Sequence, residues 1–114
     1  MSTGTPWEVT PRQAAELRLS DPANVVLLDC RRPEEYETSR IEGSVLIPMQ
    51  ELGDRLAELE AHAGKTIIVL CHHGVRSLKV ASYLREHGWE DAVSMAGGID
   101  RWSIEIDPDV PRYG

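Results

Sequence analysis

Thr66-Ile67-Ile68-Val69-Leu70-Cys71-His72-His73-Gly74-Val75-Arg76-Ser77 is the stretch on which the fold turns. Its first five residues are apolar or β-branched and form the strongest strand signal in the chain. A cysteine closes that strand and a polar loop follows. The spacing of Leu78, Ala81 and Leu84 then predicts a helix from Ser77 to His87, stopped by Gly88. A short loop between a strand and a helix start is an anion-binding nest, because its N–H groups and the positive helix end converge there. A sulfur at the foot of such a nest gives up its proton more readily, and the thiolate is the nucleophile. Gly74 lets the loop curl, and Arg76 adds fixed positive charge. His72 and His73 add more when protonated, with a solvated loop position as the plain alternative. Ser77 stands where it can cap the helix and donate to an anion. A free cysteine alone is most often a small buried hydrophobe. The glycine, arginine, serine and helix start after Cys71 have no purpose in that reading. Cys71 is therefore the candidate nucleophile, and His72, His73, Gly74, Val75, Arg76 and Ser77 are the candidate substrate-binding residues.

Outward from this loop, strands and helices alternate. Thr10 as cap, Pro11 at the first helical position and Gln13 as capping-box partner predict a helix to about Leu19. Val25–Leu28 reads as a buried strand ending at Asp29, and Pro33–Glu37 as a short helical turn with acids near its N-terminus. Val45–Ile47 reads as a strand stopped by Pro48. Leu52, Leu56 and Leu59 form one face of a helix expected from Met49 to about His62, with Gly64 as its stop. Ala92–Met95 is a last strand, Ala96-Gly97-Gly98 a turn, and a final helix holds Ile99 and Trp102. Such alternation predicts an α/β domain with a mainly parallel sheet covered on both faces. Ligands of such sheets lie beyond the carboxyl ends of the strands, which points to Asp29-Cys30-Arg31 and to Cys71–Ser77.

The length of 114 residues suits a single domain over 1–114, with a core over about 10–104 and tails at 1–8 and 107–114. With 12 basic and 19 acidic residues the net charge is −7, which argues against nucleic-acid and anionic-membrane partners. Two cysteines are too few for a disulfide scaffold and lack metal-ligand spacing, so no metal is expected. Met1–Trp7 shows no basic-then-apolar leader pattern, and the longest apolar run, Ile67–Cys71, is too short to span a bilayer. A cytoplasmic monomer with reduced thiols is the expectation. The Leu52, Leu56, Leu59 stripe and Trp102 read as core, Trp7 and Trp89 as half exposed, and His62 and His87 as dipole partners near helix ends.

Cys71-x-x-Gly74-x-Arg76-Ser77 resembles the active-site loop of single-domain rhodaneses, the thiosulfate sulfurtransferase family. Leu28-Asp29-Cys30-Arg31 with Pro33-Glu34-Glu35-Tyr36, Ile41-Glu42-Gly43-Ser44 with Ile47-Pro48, and Gly97-Gly98-Ile99-Asp100-Arg101-Trp102 resemble three further family motifs in the same order. Pro108–Tyr113 resembles the tail of rhodanese domains fused to ubiquitin-activating-like enzymes. The resemblance implies a three-layer sandwich with about five strands. It implies sulfur transfer through a persulfide on Cys71, from a small anionic donor such as thiosulfate to a thiol or a sulfur-carrier protein, without a cofactor. It makes Asp29 and Arg31 a pair bordering the active site, with a structural ion pair as their other reading. Ser39-Arg40 departs from the family's usual Gly-His. Cys30 replaces an aliphatic residue and reads as core packing, or as a resolving thiol if the two Cα atoms lie within roughly 7 Å. Arg76 has two readings, an anion-binding group or a salt-bridge partner of Asp29 or Glu35. Related phosphatases and arsenate reductases place five residues between cysteine and arginine, whereas four separate Cys71 from Arg76. A binding module that relays or senses persulfide is the other alternative.

Overall fold

The computed structural model describes residues 7–114. The segment read for a leader pattern therefore lies largely outside the described residues. The strands are β1 (Glu8–Val9), β2 (Val25–Asp29), β3 (Val45–Leu46), β4 (Thr66–Leu70) and β5 (Val93–Met95). The α-helices are α1 (Pro11–Ser20), α2 (Pro33–Thr38), α3 (Leu52–Arg55), α4 (Val75–Glu86) and α5 (Gly98–Glu105). The five strands form one sheet in the order β1-β5-β4-β2-β3, and every pairing is parallel. This is the expected parallel α/β sheet.

Alternation along the central strands divides the core. Val26, Leu28, Ile67 and Val69 pack on one face with Leu52, Leu59, Val80, Ala81 and Leu84 from α3, the turn after it and α4. Leu27, Ile68 and Leu70 pack on the other face with Ala14 of α1 and Ile99 and Trp102 of α5. Both central strands are apolar on both sides, as a sheet covered twice requires. Trp7 and Trp89 are half-buried against the first cluster. No helix among the described residues is long and apolar enough to cross a membrane.

Four details differ from the sequence reading. Glu8–Val9 forms an edge strand beside Ser94 and Met95, too short to leave an apolar pattern. The single helix expected over 49–62 is a 3₁₀ turn, the short α3 and a longer 3₁₀ segment over Leu56–His62. A spacing of three between Leu56 and Leu59 matches the 3₁₀ repeat. The helix after the cysteine loop begins at Val75 rather than Ser77. Lastly, the stretch after residue 106 is packed down: Val110 is buried with the α1–α5 cluster, and Ser39 Oγ donates to the Pro111 carbonyl at 2.6 Å.

The start of α1 follows the expected chemistry. Gln13 N donates to Thr10 Oγ1 at 3.1 Å, and Thr10 N donates to Gln13 Oε1 at 2.8 Å. Thr10→Ala removes the hydroxyl that caps Gln13 N and leaves the backbone donor to Gln13 Oε1 in place. A loss of about 1 kcal/mol is expected in chemical unfolding, with no change in chemistry at Cys71.

Candidate active site

β4 delivers Cys71 to the carboxyl edge of the sheet, beside the end of β2. There the chain turns through His72, His73 and Gly74 into α4. Gly74 sits at φ 99°, a left-handed conformation that precedes the helix in place of a side-chain cap. The turn folds two amides back onto the sulfur: Gly74 N donates to Cys71 Sγ at 3.1 Å and Ser77 N at 3.3 Å. Cys71 is buried, and its thiol reaches Ser77 Oγ at 3.4 Å. Ser77 is thus not the cap of α4. It lies in the first turn, fully buried, with its hydroxyl shared between Cys71 and Ser94 Oγ at 2.7 Å. Val75 projects outward, 67% exposed, at the loop's outer face.

The outer side of the loop is held by α5. Ile99 N donates to the Cys71 carbonyl at 2.8 Å and Asp100 N to the His72 carbonyl at 3.1 Å. Gly97 and Gly98 both have positive φ, and a Cβ on Gly98 would overlap the Cys71 and His72 carbonyl oxygens. The Gly-Gly pair is therefore what allows α5 to approach the loop backbone.

The charged residues divide into two linked pairs. Arg31 and Asp29 are fully buried and joined through Arg31 Nη2 and Asp29 Oδ2 at 2.6 Å. Arg31 Nη2 also donates to the Ser39 carbonyl at 2.6 Å. Burial opposes the Arg31 charge, but the Asp29 bonds and charge outweigh it and hold the guanidinium ionised. Arg76 donates from Nη1 and Nη2 to the two oxygens of Glu35, at 2.7 and 2.9 Å. Of the two readings of Arg76, the salt bridge is thus present, on Glu35 and not on Asp29. The Arg76 hydrogen bonds hold the Glu35 carboxyl down at about 2, against the opposing effect of burial. Tyr113 joins the pairs: Arg31 Nη1 donates to its hydroxyl at 2.9 Å, and that hydroxyl donates to Glu35 Oε2 at 2.7 Å.

His72 and His73 lie together with ring centroids 3.9 Å apart. His73 is exposed, but His72 is half-buried and stacked on Tyr113 at 4.0 Å, so it does not point freely into solvent. Cys30 is buried in the same core cluster as Cys71. Cys30 and Cys71 directly follow the paired residues Asp29 and Leu70 at the carboxyl ends of adjacent strands, and Cys30 N donates to the Leu70 carbonyl at 3.1 Å. Both thiols are free, and burial, then the Cys71 and Asp29 charges, push the Cys30 thiol well up. Cys30 is therefore a neutral core group in this state. Among the described residues no three His, Cys, Asp or Glu side chains are grouped to hold a metal ion.

No local sequence pattern marks Ser94 or Tyr113 as site residues. The one signal for Ser94 is a serine between Val93 and Met95, on the strand face opposite theirs. Tyr113 had only the tail resemblance.

A sequence model of the rhodanese-like domain matches residues 10–105. The chain belongs to the rhodanese-like family. It is 36% identical over 99 residues to the thiosulfate sulfurtransferase GlpE of Pseudoalteromonas translucida, covering 87% of this chain and 92% of that protein. It is 33% identical over 107 residues to the probable adenylyltransferase/sulfurtransferase MoeZ of Mycobacterium tuberculosis, covering 92% of this chain but 26% of that longer protein. The structure of a rhodanese-like domain protein from Staphylococcus aureus is similar at a TM-score of 0.76 and 29% identity, covering 94% of this chain and 98% of that one.

Two comparisons test how this rhodanese-like site is built, one of glycine variants and one of pH. Gly98→Ala places a Cβ against loop backbone and should cost at least about 2 kcal/mol in chemical unfolding. Gly64→Ala, at φ +81° with nothing within 4 Å of its Cβ, should cost only about 1 kcal/mol. Because the Glu35 carboxyl is depressed, its contribution is complete above the ordinary carboxylate range and is lost as pH falls toward about 2. Unfolding of the parent and Glu35→Gln should therefore differ by on the order of 2–3 kcal/mol at neutral pH, and the gap should close between about pH 5 and 2.

Proposed function

We propose that the chain is a sulfurtransferase that carries sulfane sulfur on Cys71. The observation that carries this reading is the turn of two loop amides onto one buried sulfur. Amides aimed at a sulfur favour its thiolate, and they favour equally the charge on a second sulfur bonded to it.

The Cys71 thiolate attacks the outer sulfur of thiosulfate or another sulfane donor. The donor's S–S bond breaks, sulfite leaves with the bonding pair, and Cys71 keeps the transferred sulfur as a persulfide anion. A thiophilic acceptor, cyanide in an assay or a thiol or sulfur-carrier protein in the cell, then attacks that terminal sulfur. Cys71 departs as the thiolate, ready for another cycle. Double displacement gives ping-pong kinetics. The steps call for no metal or organic cofactor. Gly74 and Ser77 supply the amides. Arg76, His73 and Val75 border the approach, Arg76 offering charge and Val75 an apolar contact. Asp29 and Arg31 hold the end of β2 in place and stay out of the chemistry. Free thiols suit a reducing compartment such as the cytoplasm. Four residues between Cys71 and Arg76 make a tighter cradle than the five of cysteine phosphatases, which favours a terminal sulfur over a tetrahedral phosphate.

The test is thiosulfate-dependent thiocyanate formation by the parent and by Cys71→Ser, with intact mass read after thiosulfate alone. Turnover in the parent, a gain of one sulfur atom, and loss of both in the variant are expected. No turnover and no mass gain in the parent would end this reading, as would Cys71-dependent hydrolysis of an aryl phosphate in its place.

A further inference from the structure

We propose that Tyr113 is a positioning residue for the sulfur donor, holding Arg76 and His72 at the mouth of the Cys71 loop. The inference rests on the sulfurtransferase reading above.

Tyr113 is tied in by every part of its structure. Its hydroxyl accepts from Arg31 Nη1 at 2.9 Å and donates to Glu35 Oε2 at 2.7 Å. Its ring lies on His72 with planes 7° apart. Its carbonyl faces His72 Nε2 at 2.9 Å. A carbonyl only accepts, so Nε2 carries the proton of the imidazole and His72 is fixed in both plane and tautomer. Gly114 closes against the same ring, since a Cβ there would stand 2.7 Å from His72 Cε1.

Anchoring the chain end does not require these contacts. Val110 in the core, Ser39 on the Pro111 carbonyl and Arg112 on Asp100 at 2.9 Å already hold the segment. Tyr113 adds a link between two charged pairs. Its proton is committed to Glu35, because burial, together with the Glu35 charge, raises its ionisation to about 12 against the opposing pull of Arg31. That proton offsets part of the Glu35 charge and fixes the carboxylate on which both Arg76 nitrogens rest. Arg76 directly precedes Ser77, whose amide and hydroxyl both meet the Cys71 sulfur, so the guanidinium is carried by the same turn as the reacting sulfur. Without the hydroxyl, Glu35 shows more negative charge toward the loop, Arg31 Nη1 keeps only the Glu35 carbonyl at 3.2 Å, and the carboxylate that holds Arg76 loses one of its donors. A dianionic donor is then less favoured on approach, whereas bond exchange at sulfur, once the donor is bound, is little altered.

The test is Tyr113→Phe in the full chain, which keeps the ring stack and removes only the hydroxyl. In the thiocyanate assay the thiosulfate KM should rise about fivefold with kcat nearly unchanged, the size of one ordinary hydrogen bond, because the hydroxyl acts on the donor only through Glu35 and Arg76. A second readout does not depend on sulfur transfer. Alkylation of Cys71, followed by peptide mass, is timed with anionic iodoacetate and neutral iodoacetamide. The iodoacetate-to-iodoacetamide rate ratio should fall by about the same factor, and Arg76→Gln sets the value expected when the charge is gone. A purely structural role would lower the melting temperature and leave both KM and the ratio in place, which would overturn the proposal. If the parent takes up no sulfur, the sulfurtransferase reading fails, and the alkylation ratio still decides for or against Tyr113. Should Tyr113→Phe not fold, Tyr113→Trp, which keeps a ring over His72 without the hydroxyl, is judged by the same ratio.

Discussion

Two hydrogen bonds set the direction of the whole cysteine loop. The amides of Ile99 and Asp100, in the first turn of α5, take the carbonyls of Cys71 and His72. A helix start always carries donors without intrahelical partners, and here loop carbonyls occupy them. A peptide unit whose oxygen is fixed outward has its N–H directed inward. The two held carbonyls share their peptide units with the amides of His72 and His73, so α5 fixes the start of the loop, and the chain continuing from it brings the amides of Gly74 and Ser77 onto the Cys71 sulfur. The sheet supplies only the location of the cysteine. The polarity around it comes from the turn and the first turn of α4, and that turn is held from outside by α5, more than twenty residues later in the chain. Gly97 and Gly98 matter for this reason, because any side chain at Gly98 would separate the two backbones.

A second layer of constraint is electrostatic. The chain is acidic overall, with a net charge of −7. Its site nonetheless depends on arginines, and each is matched: Arg31 by Asp29 and Arg76 by Glu35. Tyr113 completes a continuous path from the end of β2 to the first turn of α4. A buried guanidinium such as Arg31 is stable only with nearly all its donors used, and it bonds to Asp29, Ser39, Glu35 and Tyr113. The pair at Arg76 is half-exposed, so its charge remains felt beyond the protein surface.

Much of this was legible in the order of residues. Apolar runs at Val25–Leu28 and Thr66–Leu70 announce the central strands, and the Thr10, Pro11, Gln13 cluster announces α1 by a mechanism that the hydrogen bonds reproduce. The cysteine loop could be read because strand, glycine, arginine and helix start are adjacent in sequence. What was not legible depends on distance along the chain. Ser94 meets Ser77 across seventeen residues, and Tyr113 meets Glu35 across seventy-eight. No local pattern encodes either contact. Ser77 was misplaced as a cap because the helix begins two residues earlier, where Gly74 takes the left-handed turn that a capping side chain would otherwise replace. Glu8–Val9 leaves no strand signal because two residues on a sheet edge carry no periodicity.

The proposed sulfur transfer requires the loop amides to surround the place that a transferred sulfur on Cys71 would occupy. The most direct measurement is a crystal structure of the protein after treatment with thiosulfate. One extra sulfur bonded to Cys71 Sγ, within hydrogen-bond distance of the loop amides and with the Ile99 and Asp100 contacts unchanged, is the predicted result. An unmodified Cys71, or a sulfur that turns away from those amides, would contradict it.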